Sequence, residues 1–140
     1  TAEQQPGPQW RSTVPLYLHL GFILDALDDG RSQVRLVFQP HLGNSRGEVH
    51  GGTVAAIIDA AMSQAVRSLV DMEMGVATMT MNLNFLAPAK GEIVCRGTVV
   101  KRGRSIMFTE AEVVGEDGNT ACRSSASYRV LPKTVYGKKP

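Results

Sequence analysis

A glycine pair and a single acid in the middle of the sequence have the types and the spacing needed for carbonyl chemistry. Gly51 and Gly52 open the one strong helical pattern, where backbone N–H groups lack partners within the helix. The positive end of the helix dipole favours an oxyanion or a polarised carbonyl at that position. Asp59 is the one acid of this helix and follows seven residues after Gly52.

The distance between these groups decides how they could act together. At about 1.5 Å per residue, Asp59 lies roughly 10 Å beyond Gly52 along the helix axis. One helix therefore cannot place both groups on a single reacting carbon. Two copies packed antiparallel can do so, because the start of one helix then lies beside the middle of the other. An active site built from these groups is expected to be shared across a dimer.

The helix that positions Asp59 lies in the segment 44–70, which begins as a polar loop. Taking Thr53 as the first helical residue, one apolar stripe recurs at spacings of three and four, formed by Val54, Ile58, Ala61, Met62, Ala65 and Leu69. Asp59 lies at the flank of that stripe. It shares a face with the small residues Gly52, Ala55, Ala56 and Ser63. A carboxylate with such small neighbours has room for a bound molecule beside it.

The composition is that of an ordinary globular protein, with 140 residues, 43% hydrophobic and 20% charged. This length predicts one domain. The net charge of +2 is too small to indicate nucleic-acid binding. No apolar run approaches a membrane span and no signal-peptide pattern opens the sequence, so the cytoplasm is the expected location. Cys95 and Cys122 are expected as buried thiols of a reducing compartment rather than as a disulfide.

Six strand-like segments surround the helical one, at 21–27, 32–38, 77–86, 93–100, 106–114 and 120–130. A short helix or turn at 14–20 precedes them. In the third strand, Ala77, Met79, Met81, Leu83 and Phe85 are predicted to face the core, with Thr78, Thr80, Asn82 and Asn84 on the other face. One long helix wrapped by a curled antiparallel sheet is an α+β arrangement.

The domain is expected to span residues 13–131. Residues 1–12 are polar, contain two prolines and lack any periodicity, which is typical of a flexible lead-in. Residues 132–140 are predicted to form a loose tail. No internal repeat or low-complexity block divides the chain.

Three motifs stand out in the sequence. The first runs from Asn44 through His50-Gly51-Gly52 to Asp59. The second runs from Asn82 to Pro88-Ala89-Lys90-Gly91, and the third is Lys101-Arg102-Gly103-Arg104-Ser105. Together they resemble the PaaI-like acyl-CoA thioesterases of the hotdog-fold superfamily, and the resemblance covers roughly residues 16–131. It implies a hotdog fold, hydrolysis of acyl-CoA thioesters and self-association as a dimer or tetramer.

The resemblance also implies roles for individual residues. In the family, a glycine N–H of the His50-Gly51-Gly52 turn polarises the thioester carbonyl, and Asp59 of the opposite subunit acts as nucleophile or general base. The loop asparagine, Asn44, helps to place the water or the thioester. A strand hydroxyl that assists in some members falls on Thr78, counting back from Pro88. His50 is interpreted as fixing the loop through ring hydrogen bonds rather than as an acid or base.

The basic hairpin of Lys101, Arg102 and Arg104 is a candidate for binding the phosphates of coenzyme A, although such turns are usually solvated. No metal site or cofactor is expected, because His19, His41 and His50 lie far apart in unlike contexts. Two alternatives share the fold. One is a non-catalytic acyl-CoA binder or sensor, which would not need Asp59. The other is a dehydratase, whose active-site acid and histidine pattern is not evident.

Overall fold

An antiparallel sheet of six strands curls around one long helix in the computed structural model, which describes residues 7–136. In chain order the elements are α1 Pro15–Leu20, β1 Ile23–Asp28, β2 Arg31–Leu36, α2 Gly51–Arg67, β3 Met74–Phe85, β4 Ile93–Arg102, β5 Ile106–Val114 and β6 Thr120–Pro132. Single 3₁₀ turns occupy Pro40–Leu42 and Lys133–Tyr136. The strand order is β1-β2-β4-β5-β6-β3. The expected hotdog arrangement is confirmed.

Helix α2 is buried because the sheet contacts it from all six strands. Its fully buried residues include Ile57, Ile58, Met62 and Val66. Burying one such side chain contributes about 1.5–3 kcal/mol relative to leaving it exposed. The closest approach is at Gly97 of β4, where an added Cβ would lie 2.8 Å from the backbone of Ala61. The absence of a side chain at this one position lets the helix rest against the sheet.

The start of α2 corrects the prediction that the helix begins at Thr53. The helix begins at Gly51, with His50 as its N-cap. The His50 carbonyl accepts hydrogen bonds from the N–H groups of Thr53 and Val54, at 2.9 and 3.0 Å. The apolar periodicity alone missed the first turn, because the glycines of that turn carry no side chain that could enter the pattern.

A bulge in β3 corrects the predicted alternation of that strand. Thr78 pairs with Tyr128 and Thr80 pairs with Ser127, so Met79 is an extra residue in the ladder. Residues 80–84 alternate as predicted, with Met81 and Leu83 packed on the core. Phe85, also predicted to face the core, is instead 56% exposed. On the other side of the bulge, the residues of β3 that face the core are the ones predicted to face outward. Thr78 therefore turns toward α2, whereas the Met79 side chain is 49% exposed.

The β1–β2 connection is the predicted hairpin turn. Asp29 and Gly30 both have positive φ, at 47° and 79°, which is the conformation that a two-residue hairpin of matching twist requires. Strand β5 coincides with the predicted segment 106–114. β4 and β6 each extend two residues beyond their predicted ends, to Arg102 and Pro132.

The ends of the described chain contact the domain. The rings of Trp10 and Tyr17 lie 5.0 Å apart, and the Arg11 N–H donates to the side-chain oxygen of Gln64 at 2.8 Å. The Tyr136 hydroxyl donates to the Arg129 carbonyl. Residues 1–6 and 137–140 lie outside the described residues, and the division into lead-in, domain and tail stays a prediction.

Both cysteines are free and fully buried, on the inner face of the sheet. Cys95 and Cys122 each pair with Val113 from opposite sides, so one strand separates them. Two strand spacings amount to about 9.6 Å, which is too far for a disulfide. Burial raises the pKa of both thiols.

No helix in residues 7–136 is long and apolar enough to cross a membrane.

Candidate active site

The N-cap of α2 determines which glycine amide is available to a ligand. The His50 ring nitrogen Nδ1 accepts a hydrogen bond from the Gly52 N–H at 2.8 Å. The amides of Thr53 and Val54 already bond to the His50 carbonyl. The Gly51 N–H has no acceptor among residues 7–136. Of the two glycines, Gly51 therefore offers the free donor, and His50 has a capping role at this site.

Asn44 organises the loop that precedes α2. Its side-chain oxygen accepts hydrogen bonds from the N–H groups of Arg46, at 2.9 Å, and Glu48, at 3.1 Å. The side-chain amide nitrogen makes only a long contact of 3.4 Å to the Glu48 carboxylate. Glu48 in turn forms an ion pair with Arg46 at 2.6 Å, which holds the pKa of that carboxyl below its usual range. The amide nitrogen of Asn44 is thus its one group left for a substrate or water.

A cavity of about 360 Å³ lies where this loop meets the helix start. The loop and the helix start contribute Asn44, Arg46, Glu48, Val49, Gly51 and Val54 to its lining. The rest of the lining is apolar and consists of Phe85, Leu86, Ala87, Pro88, Ala89 and Ala121. The free N–H of Gly51 therefore borders a space that could receive an acyl thioester.

Asp59 lies in a second cluster, two turns further along α2. The Thr78 hydroxyl donates to its carboxylate oxygen Oδ1 at 2.9 Å, and the Tyr128 hydroxyl donates to the same oxygen at 2.7 Å. The carboxylate is partly exposed, whereas Tyr128 is fully buried. In the described chain, Oδ2 receives no hydrogen bond and no cation pairs with Asp59.

Tyr128 was not anticipated from the sequence. It is the one tyrosine of β6 and occupies an inward-facing position, opposite Thr78. Burial raises its pKa, and the nearby charge of Asp59 raises that pKa further. The hydroxyl therefore stays protonated and remains a donor. The contact depends on the register between β3 and β6 and on the bulge at Met79, neither of which leaves a signal in the sequence.

A second buried tyrosine lies near Asp59 without bonding to it. The Tyr17 hydroxyl lies 3.2 Å from the Ser63 hydroxyl, one turn beyond Asp59 on α2. Burial raises the pKa of Tyr17, the Ser63 contact opposes that rise, and the Asp59 charge adds to it. Arg67 lies one turn further along, and burial lowers the pKa of its guanidinium.

The predicted site residues thus form two groups within one chain. Asn44, His50, Gly51 and Gly52 come together at the helix start, and Thr78 joins Asp59. Gly51 and Asp59 are eight residues apart on one straight helix, which separates them by about 12 Å along its axis. The single chain does not bring the free donor and the carboxylate onto one reacting atom.

The three cations of the β4–β5 hairpin do not form one cluster. Lys101 and Arg102 are neighbours in β4 and point to opposite faces of the sheet, since Lys101 pairs with the exposed Phe108 and Arg102 with the buried Met107. The Arg102 guanidinium donates to the Leu69 carbonyl at 2.8 Å, just beyond the end of α2. Arg104 is exposed at the turn. Arg102 and Arg104 both remain candidates for phosphate binding, whereas Lys101 points to the outer face.

A family model described as the thioesterase superfamily matches residues 46–122, which include the helix start, Asp59 and Thr78. The chain belongs to the thioesterase superfamily. A relative from Halobacterium salinarum, whose name assigns it provisionally to the esterases, is 34% identical over 100 residues. That match covers 68% of this chain and 66% of the relative. Membership in the superfamily and the names of its relatives support a thioester hydrolase activity.

Solved structures of this superfamily have the same fold. A thioesterase family protein from Silicibacter pomeroyi is 29% identical, with a TM-score of 0.81 over 85% of this chain and 90% of that one. The PaaI protein from the phenylacetic acid degradation operon of E. coli is 18% identical, with a TM-score of 0.76 over 83% of each chain. The second likeness concerns the fold alone. The chain is thus a hotdog protein of the thioesterase superfamily, and its fold is like that of PaaI.

Proposed function

We propose that the protein hydrolyses acyl-CoA thioesters to a carboxylic acid and free coenzyme A. The observation that carries this proposal is the N–H of Gly51, which has no acceptor within residues 7–136 and lies at the cavity beside Asn44. A donor at a helix start stabilises the negative charge that develops on a thioester oxygen. The carboxylate of Asp59 supplies the base or nucleophile that such a donor requires.

The complete site is proposed to lie between two subunits. Within one chain, Gly51 and Asp59 are too far apart to act on the same atom. β3 is an edge strand of 12 residues whose outer hydrogen-bonding edge is open to a second strand. Pairing of two β3 strands across a two-fold axis would bring the two α2 helices side by side and antiparallel, with the Asp59 of one protomer beside the Gly51 of the other.

The proposed reaction begins with the thioester oxygen accepting a hydrogen bond from the Gly51 N–H. A water molecule gives a proton to Asp59 and its oxygen bonds to the carbonyl carbon. The carbon–sulfur bond then breaks, and the leaving thiolate takes up the proton from Asp59. Direct attack by the carboxylate would instead form an anhydride that water hydrolyses, with the same products. Asn44 orients the water or the thioester through its amide nitrogen.

Coenzyme A also has to be held away from the reacting carbon. Arg102 and Arg104 offer guanidinium groups for its nucleotide phosphates at the β4–β5 hairpin.

The proposed location is the cytoplasm, where reduced thiols such as Cys95 and Cys122 are usual.

The test is the release of free thiol from aryl-, short-chain and long-chain acyl-CoAs by the wild type and by Asp59→Asn. The substitution keeps the size of the side chain and removes its charge and basicity. We expect kcat to fall at least ~10²-fold, the scale for loss of a positioned base. Binding of a non-hydrolysable acyl-CoA should change little.

Two outcomes would contradict this proposal. A folded Asp59→Asn variant with wild-type kcat would remove Asp59 from the chemistry and leave the hydrolysis to other groups. A wild-type protein that binds acyl-CoAs but releases no thiol from any of them would instead be a binder or sensor on the same fold.

A further inference from the structure

Two hydroxyl groups donate to a single oxygen of the Asp59 carboxylate. Thr78 reaches Oδ1 from β3, and Tyr128 reaches the same atom from β6. The 2.7 Å contact from Tyr128 is short, as is usual for a hydroxyl that bonds to a charged acceptor. The other oxygen, Oδ2, receives no hydrogen bond within residues 7–136. The two oxygens of one carboxylate are therefore in different surroundings.

We propose that Tyr128 is a positioning residue that, together with Thr78, fixes Oδ1 and leaves Oδ2 as the oxygen that meets the water or the thioester. This inference rests on the proposed role of Asp59 in hydrolysis. Tyr128 itself does not touch the substrate.

The placement of Tyr128 indicates that its hydroxyl serves Asp59 rather than the core. The side chain is fully buried, so its ring fills space that a phenylalanine would fill equally well. A buried hydroxyl without a partner destabilises a fold. The hydroxyl has one proton, and its short contact of 2.7 Å goes to Oδ1 of Asp59. The Asp59 backbone carbonyl lies further away, at 3.4 Å. The hydroxyl therefore donates to the carboxylate.

Within residues 7–136, hydrogen bonds and no cation hold the Asp59 carboxylate. The groups that face it are Thr78 from β3, Tyr128 from β6 and, without a direct bond, Tyr17 from α1. The charge of Arg67 opposes the rise that burial causes in the pKa of Tyr17. Loss of the Tyr128 hydroxyl should leave the carboxylate less firmly oriented, so that Oδ2 is held less well toward the reacting carbon. A purely structural tyrosine would affect stability without a selective loss of kcat.

The test is Tyr128→Phe, with kcat and KM measured for one acyl-CoA beside the free energy of unfolding. We expect kcat to fall about 10-fold or more and KM to change by less than about threefold. Thr78→Val removes the other donor to Oδ1 and should likewise lower kcat more than it changes KM. Tyr17→Phe is the matched control, since it deletes a buried tyrosine hydroxyl that bonds to Ser63 instead, and its kcat and KM should match the wild type.

A double variant separates this inference from the proposed function. If Tyr128 acts only through Asp59, then Asp59→Asn with Tyr128→Phe should keep the residual rate of Asp59→Asn alone. A folded Tyr128→Phe protein with wild-type kcat, beside an inactive Asp59→Asn, would overturn the inference and leave the function standing. An Asp59→Asn protein with wild-type kcat would remove the role of Asp59 on which the inference rests, and a wild-type protein that releases no thiol from any acyl-CoA would overturn the function itself.

Discussion

His50 Nδ1 lies 2.8 Å from the backbone nitrogen of Gly52, and this one hydrogen bond sets the chemistry of the helix start. It occupies the second amide of α2 and leaves the first, that of Gly51, without an acceptor in the described chain. A ring nitrogen that accepts a hydrogen bond carries no proton, so the proton of a neutral His50 is on Nε2. His50, the residue of this motif that most resembles an acid or base, therefore serves to cap the helix.

The capping role predicts how substitutions of His50 affect stability. His50→Ala should lower the free energy of unfolding by about 1 kcal/mol, because the Gly52 N–H loses its acceptor. Asparagine is a good N-cap, so His50→Asn should recover most of the loss. Denaturant unfolding measures both values, and acyl-CoA hydrolysis by the same proteins checks the catalytic part. A stable His50→Asn protein without any activity would contradict a role limited to capping.

The free amide of Gly51 can be deleted without breaking the helix. Gly51 is the first residue of α2, a position where proline is favoured, and His50 already has the extended backbone that a following proline requires. Gly51→Pro should therefore fold, yet lower kcat by about 10²–10³-fold through loss of one oxyanion donor. Gly51→Ala keeps the N–H, and its Cβ would lie an ordinary 3.6 Å from the Phe85 ring. Equal activity of the two variants would exclude this amide from the reaction.

A shared site predicts complementation between inactive variants. Gly51→Pro and Asp59→Asn are each expected to be inactive, but a mixed dimer has one site with both wild-type residues. Co-refolding equal amounts should restore about a quarter of the wild-type activity per mole of sites, because half the dimers are mixed and each mixed dimer has one intact site of two. Native mass spectrometry verifies that mixed dimers form. Mixed dimers without activity would show that the site is built differently.

Charge reversal at the β4–β5 hairpin tests the proposed nucleotide site. Arg104→Glu should raise KM for acyl-CoA several-fold and leave a short acyl-pantetheine nearly unaffected, because only the former carries the nucleotide phosphates. Arg102 also bonds to the Leu69 carbonyl, so Arg104 gives the cleaner result. Arg123→Glu is the control, since Arg123 is an exposed cation that lies by Glu112 on the outer face of the sheet. An equal loss on both substrates would place Arg104 outside the nucleotide site.

The parts of the site carried by one continuous segment could be predicted from sequence. Asn44 and Asp59 belong to one loop and the helix that follows it, so their positions along the chain largely determine their separation in space. Thr78 came from resemblance, and its predicted face was wrong because a bulge adds one residue to β3. Tyr128 lies 69 positions from Asp59. Its contribution appears only once β6 is paired with β3 in the correct register, and such pairing is a property of the whole sheet.

The two buried cysteines give the protein an internal reporter of its own unfolding. Cys95 and Cys122 are its only thiols, and the fold encloses both completely. A thiol reagent that follows the release of coenzyme A should therefore find no background in native enzyme. The same reagent added without substrate should react with two groups per chain only as molecules open. One chemistry thus measures turnover and global unfolding on the same sample, and it can tell a variant that has lost catalysis from one that has lost its structure.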